Sequence, residues 1–259
     1  MLRVLSHPLT RGVDVDDPRS TLLRRQIIQS KPFLRALYRE WYERIRARLP
    51  EEQAFVLEIG SGAGFLRDFI PQIITSEVFA LPGVDRVEDA MALTFADASL
   101  DAIVMTDVLH HIPDVAKFLS EAARTLKPGG RLLMIEPWRT RWSQWVYQHL
   151  HPEPFRPEYS DWTLPPGGPL SGANGALPWI VFERDRARFE ASFPELSIGT
   201  IQGLMPVSYL ASGGVSMRAL APGRAYGAVR ALERGILRER GAMFAFIEVQ
   251  RRPAVAGSH

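Results

Sequence analysis

The sequence predicts an α/β fold with a doubly wound, mostly parallel sheet, and three observations carry that reading. Short apolar runs recur at 54–59, 74–79, 84–88, 102–106 and 131–136. Helical or turn-forming segments separate most of them, and strands alternating with helices imply parallel βαβ units. The first run ends in Gly60-Ser61-Gly62-Ala63-Gly64, where a buried strand turns sharply into the next element.

Residues 1–20 show no period and read as an extended arm. Two helices follow from Thr21, broken at Lys31-Pro32 because a residue before proline is pushed out of the helical region. In the second, Phe33, Leu37, Trp41 and Ile45 recur at four-residue spacing, while Arg35, Arg39, Glu43 and Arg46 fall elsewhere on the wheel. That pattern predicts an amphipathic helix packed on the body of the protein. A helix is expected from about Phe65, and another over 115–126, stopped by Pro128-Gly129-Gly130.

The alternation breaks after Glu136. Residues 137–179 are rich in tryptophan and proline and hold no sustained period. Regular structure resumes with a helix at 183–193, a strand at 196–202, a helix at 226–238 and a strand at 243–251, which brings the expected strands to seven. The expected organisation is an N-terminal arm and helices over 1–50, then a main domain over 51–259 with 137–179 as an insertion or lid. The last four residues, 256–259, read as a tag remnant.

Composition narrows the function classes. The chain has 259 residues, 46% of them hydrophobic and 23% charged, ordinary values for a soluble domain. A net charge of +2 gives little support for a nucleic-acid surface. With no cysteine there is no disulfide framework, thiolate nucleophile or cysteine zinc site, which fits a cytoplasmic protein. Two uncharged stretches, 164–182 and 196–217, are interrupted by Gly, Pro and Ser, so no transmembrane segment is expected.

In the glycine loop, alternate glycines let a ligand approach the backbone where a side chain would collide. The dinucleotide spacing G-x-G-x-x-G fails, because Phe65 stands at its third glycine. A tight turn with no ligand is the other reading of this loop. The run Glu58-Ile59-Gly60-Ser61-Gly62-Ala63-Gly64 instead resembles the first motif of class I S-adenosylmethionine-dependent methyltransferases, in the type 11-like branch. Three further segments resemble that family in order: Glu88-Asp89-Ala90 through Phe95, Ser99 through His111, and Leu126-Lys127-Pro128-Gly129-Gly130.

The resemblance implies a Rossmann-like, seven-stranded sheet ending in a reversed hairpin, and S-adenosylmethionine as cofactor. It implies cofactor contacts from Glu58, Gly60, Ser61, Gly62 and Gly64, and ribose chelation by Glu77. Glu77 lies 19 positions after Glu58, near the ~20-residue offset of ribose acids in related folds. Asp89 and Ala90 would read the adenine, with Thr106 and Asp107 beside the methionine portion. Only 12 positions separate Glu77 from Asp89 and Pro82-Gly83 interrupts them, so the helix after the second strand is expected to be missing or shortened.

A sulfonium methyl is already activated, so alignment and exclusion of water carry most of the catalysis. His111, His110 and Glu136 are the expected catalytic groups, each with a structural role as the alternative, and His111 is the one expected to face the reaction cavity. Trp138, Trp142 and Asn174 are expected to meet a small-molecule substrate, unless 137–179 merely fills a small core of its own. The remaining histidines, His7, His149, His151 and His259, show no ligand-like spacing with the His110-His111 pair, so no metal is expected. Methyl transfer to carbon or oxygen of a small molecule is the leading function. A non-catalytic binding module, or another nucleotide-fold enzyme such as an aminopropyl transferase, is the alternative. Oligomeric state is not encoded in these patterns.

Overall fold

A computed structural model describes residues 7–10, 12–50 and 54–253. The expected boundary at 50/51, the tag remnant and His259 fall at or outside those limits. Among the described residues seven strands form one sheet in the order β3-β2-β1-β4-β5-β7-β6. They are β1 (Val56–Ile59), β2 (Ile74–Glu77), β3 (Arg86–Val87), β4 (Leu100–Thr106), β5 (Leu126–Pro137), β6 (Leu196–Leu204) and β7 (Phe244–Arg251). The first five run parallel, and β7 lies antiparallel to both β5 and β6, which makes the reversed hairpin. Sequence order reverses between β1 and β4, and ligands of open α/β sheets bind outside the carboxyl ends of the strands at such a switch.

Helices α1 (Pro18–Ser30) and α2 (Pro32–Arg46) precede the sheet. Asp17 accepts a hydrogen bond from the Arg19 amide and caps α1, with Pro18 at its first turn. The first helix therefore starts three residues before Thr21. The apolar face of α2 is fully used: Phe33, Leu37, Trp41 and Ile45 are all buried, as are Leu34, Tyr38 and Tyr42. Helix α3 (Val115–Thr125), capped by Asp114, crosses from β4 to β5.

Four expectations need correction. The helix expected from Phe65 is a single 3-10 turn, Leu66–Asp68, because Pro71 follows too soon for a second turn. The irregular segment 137–179 contains a regular helix, α4 (Arg141–Leu150), whose Thr140 and Ser143 form a reciprocal capping box. The helix expected at 183–193 is α5 (Leu177–Trp179) continued by a π-turn, then α6 (Arg186–Ser192). The helix expected at 226–238 is α8 (Tyr226–Leu232), which also widens into a π-turn, and a short α7 (Ser208–Ser212) precedes it. Among the described residues no helix stands between β2 and β3, and β3 is only two residues long. Among the described residues no helix is long and apolar enough to cross a membrane.

Candidate functional site

A cavity of about 350 Å³ opens at the carboxyl ends of β1, β2 and β4. The sheet contributes Ile59, Glu77 and Thr106 to its wall, and the turns after these strands add Gly60, Ala63, Val78 and Asp107. Asp89, Ala90 and Met91 close the side beyond β3. Tyr38 of α2 also lines it, as do Thr21 and Arg24 of α1 and His151 and Glu153 after α4, which sequence reasoning did not place.

The glycine loop is held from within. Ser61 donates from both its amide and its hydroxyl to the Ser76 carbonyl, each at 3.0 Å. The Gly62 amide donates to Glu77 Oε1 at 2.9 Å, and the Val78 amide lies 3.3 Å from Oε2. A Cβ on Gly62 would stand 2.6 Å from both Glu77 Oε1 and Thr21 Cγ2, so a side chain there would have to displace them. Gly60 lines the cavity at a φ of 72°, a conformation that favours glycine. Ser61, Gly62 and Gly64 do not reach the wall: Ser61 is buried against Ser76, and Gly64 faces the Tyr42 hydroxyl.

Two buried acids define this edge. Glu58 lies beneath the loop, outside the cavity wall, and burial pushes its carboxyl up to about 8, helped by nearby Glu77. Burial also raises Glu77, while the Gly62 and Val78 amides pull it back. Asp89 Oδ1 accepts from the Met91 amide at 2.8 Å, which ties the 89–91 turn. Thr106 Oγ1 is buried on the wall and has no hydrogen-bond partner among the described residues. An unsatisfied buried hydroxyl is costly and calls for a partner that binds there.

Beyond Thr106 the chain turns through Asp107 at a φ of 64° into the 3-10 turn Leu109–His111. Glu136, at the end of β5, is wholly buried and organises that turn. Its Oε1 accepts from the Val108 and Leu109 amides and its Oε2 pairs with His110 Nδ1, all at 2.8 Å. Such a saturated carboxylate does not touch the cavity, so Glu136 holds the site together from behind. His110 is 1% exposed and lies beside His111, ring centroids 4.2 Å apart and planes tilted by 42°. Burial opposes its protonation, but Glu136 and Glu153 hold it well above the ordinary histidine range.

His111 lines the cavity, and its Nδ1 lies 3.2 Å from the Gly172 carbonyl. A carbonyl only accepts, so Nδ1 carries the proton and Nε2 keeps its lone pair. Burial, and then the charge of His110, push His111 down to about 3. Asp107 is pushed up to about 7 by burial, against the pull of His110.

Trp138, Trp142 and Asn174, expected to meet a substrate, do not line this cavity. Trp142 faces outward, donates to the Pro206 carbonyl at 2.7 Å and stacks on the exposed Trp145. Trp138 is buried at the start of α4, where its carbonyl accepts from Ser143 Oγ. Asn174 is a loop clamp: its amide oxygen accepts from the Arg156 and Ala176 amides and its nitrogen donates to the Arg156 carbonyl. The segment reaches the cavity instead through His151, Glu153, Gly167, Pro169 and Leu170. Histidine spacing alone gave no metal ligand set, yet folding brings His110, His111 and Glu153 together with ligand atoms within 4.8 Å of one another.

A parallel sheet with a cavity at its switch point and acids at the ends of β2 and beyond β3 defines a nucleotide-fold protein. Residues 57–134 match the family described as a methyltransferase domain, in keeping with the resemblance to class I S-adenosylmethionine-dependent methyltransferases. It is 34% identical over 87 residues to 2-methyl-6-phytyl-1,4-hydroquinone methyltransferase of Synechocystis sp., covering 33% of this chain and 27% of that protein. It is 35% identical over 111 residues to demethylmenaquinone methyltransferase of Corynebacterium glutamicum, covering 38% of this chain and 48% of that protein. The matches thus span less than half the length of these relatives. Geranyl diphosphate C-methyltransferase of Streptomyces coelicolor A3(2), solved with Mg2+, geranyl diphosphate and S-adenosyl-L-homocysteine, shares the fold. Its TM-score is 0.52 at 16% identity, over 96% of this chain and 90% of that one.

Proposed function

We propose that this protein transfers a methyl group from S-adenosylmethionine to carbon or oxygen of a small-molecule acceptor. The observation that carries the reading is Thr106 Oγ1, a buried hydroxyl with no partner among the described residues, on the wall of a cavity flanked by Glu77 and Asp89. A volume of about 350 Å³ falls within the ~300–1,000 Å³ of small-molecule sites. The donor set suits the cofactor: one carboxylate for two vicinal hydroxyls, one for an amino group, and polar atoms after β4 for an amino-acid tail.

In this reading Glu77 holds the ribose, while the Gly62 amide keeps its carboxylate turned toward the cavity. Asp89 and the backbone through Ala90 meet the adenine. Gly60, Thr106 and Asp107 receive the methionine portion, with Ser61, Gly62, Gly64 and Glu58 shaping the loop beneath. S-adenosylmethionine supplies a methyl already activated on its sulfonium. The chain's own work is to align the acceptor and exclude water, and His111, Glu153, Pro169 and Leu170 wall the acceptor side. The Gly172 carbonyl fixes the orientation of the His111 ring on this wall.

Thr106→Val tests the reading. The free protein should keep its stability or gain slightly, because an unpaired hydroxyl is removed. Affinity for S-adenosylmethionine by calorimetry should fall two- to tenfold, the worth of one hydrogen bond of about 0.5–1.5 kcal/mol. Unchanged affinity in a folded Thr106→Val protein overturns the placement.

A further inference from the structure

We infer that His110, His111 and Glu153 form a binding site for one divalent transition-metal ion on the wall of the cavity. The first observation is convergence. His110 Nε2 stands 3.5 Å from Glu153 Oε2, and His111 Nε2 stands 3.9 Å from the same oxygen. Two ligands on a tetrahedral ion, each about 2.0–2.2 Å from it, are about 3.4 Å apart. Both histidine–glutamate pairs are within half an ångström of that spacing, and all three ligand atoms lie within 4.8 Å of one another.

The second observation is an unsatisfied atom. His110 is 1% exposed, and its Nε2 has no hydrogen-bond partner among the described residues. Glu153 lies at the far limit of a hydrogen bond, and Asp107 Oδ1 is farther still at 3.9 Å. A buried nitrogen aimed at an acidic oxygen beside a second imidazole is placed to exchange its proton for a cation.

The third observation is how the rings are held. His110 Nδ1 pairs with Glu136 Oε2 at 2.8 Å, and His111 Nδ1 with the Gly172 carbonyl at 3.2 Å. Metal-binding histidines almost always donate the other ring nitrogen to a carboxylate or backbone carbonyl, which fixes the tautomer and aims the lone pair. Both rings meet that condition, by different partners. Glu136 is saturated by the Val108 and Leu109 amides, so it cannot swing away from His110.

Two imidazoles and one carboxylate suit zinc, cobalt, nickel, iron or manganese better than magnesium or calcium, which prefer all-oxygen shells. Three protein ligands leave positions open toward the cavity, with Asp107 within reach of one. An ion there would polarise an oxygen of a bound molecule. Binding of the ion does not depend on methyl transfer.

Chelator-treated protein, free of donor and acceptor, should be titrated with zinc chloride by calorimetry and with cobalt(II) chloride by visible absorption. One ion per chain is expected, with cobalt bands of low-symmetry nitrogen and oxygen coordination. Glu153→Gln and His111→Asn, each checked for folding by circular dichroism, should weaken binding more than tenfold. Glu136→Gln, which only loosens the ring behind, should weaken it about 10- to 100-fold. In the wild type, pulsed paramagnetic resonance with copper(II) should detect two coupled imidazole nitrogens, a readout that needs no variant. Absence of one-to-one binding, or equal affinity in a folded Glu153→Gln protein, overturns the site. Either result leaves the methyl-transfer reading standing, since neither the donor nor turnover enters the measurement.

Discussion

Glu77 shows how one side chain serves both fold and site. One oxygen takes the Gly62 amide at 2.9 Å, and that bond orients the carboxylate at the end of β2. Glu77→Gln preserves an acceptor for Gly62 but removes the charge that ribose hydroxyls would donate to. Hydrogen bonds to charged groups are worth about 1.5–3 kcal/mol, so donor affinity by calorimetry should fall tenfold or more while melting changes little. A loss below twofold would move the ribose to another acid. Gly62→Val, by contrast, tests nothing about the ligand, because its side chain would strike Glu77 and Thr21 in the free protein. The alternating glycines were legible in the sequence, but their reason was not. Spacing cannot distinguish a glycine set by a left-handed backbone, such as Gly60, from one that admits a neighbouring carboxylate, such as Gly62.

The strands of the sheet were readable because buried parallel strands are continuous apolar runs, as in Ile103-Val104-Met105 and Leu132-Leu133-Met134-Ile135. Helix α4 was not, because Trp142 and Trp145 lie on its outer face and blur the apolar stripe. The cap Thr140-x-x-Ser143 was the available signal. At this scale the join between α2 and α8 gives a second prediction. Glu40 of α2 accepts from the Tyr226 hydroxyl at 2.7 Å and Arg230 Nε at 2.9 Å, with Arg234 at 3.1 Å. Burial pushes Glu40 up, but Arg230 and Tyr226 outweigh it and bring the carboxyl from 4.5 down to about 2. A depressed carboxyl stabilises the fold fully above its unfolded value of about 4.5, and that stability is lost as pH falls toward 2. Glu40→Gln should therefore be less stable at neutral pH and decline less steeply between pH 4.5 and 2 in urea titrations. Parallel declines in both proteins would show that Glu40 is not what ties α8 to α2 against acid.

At the scale of the molecule, the cavity is assembled from three regions that no local pattern relates. The sheet ends supply the motif residues, α1 supplies Thr21 and Arg24, and the chain after α4 supplies His151, Glu153 and Leu170. That last wall is unevenly fastened. Residues 156–163 are anchored: Trp162 is buried and donates to Asp185 at 3.0 Å, Arg184 donates to the Pro157 and Tyr159 carbonyls, and Thr163 bridges to Asp114. Residues 164–173, rich in glycine and proline, touch the N-terminal arm chiefly through Asp16, whose Oδ1 accepts from the Leu170 and Ser171 amides at 2.7 and 2.9 Å. A strap tied by half-buried Asp16, by the Leu164 amide on the Pro113 carbonyl and by the Gly172 carbonyl on His111 has few bonds to the body and opens at lower cost than the anchored part, which opens only with the core. The strap is thus the part of 137–179 expected to act as the lid. Hydrogen exchange should slow across 164–173 when S-adenosylhomocysteine and an acceptor analogue are bound, while 176–193 changes little. Asp16→Ala should speed exchange across the strap in the free protein and raise the KM for the acceptor more than it lowers kcat. Exchange across 164–173 that is the same with and without ligands would make the strap a fixed wall.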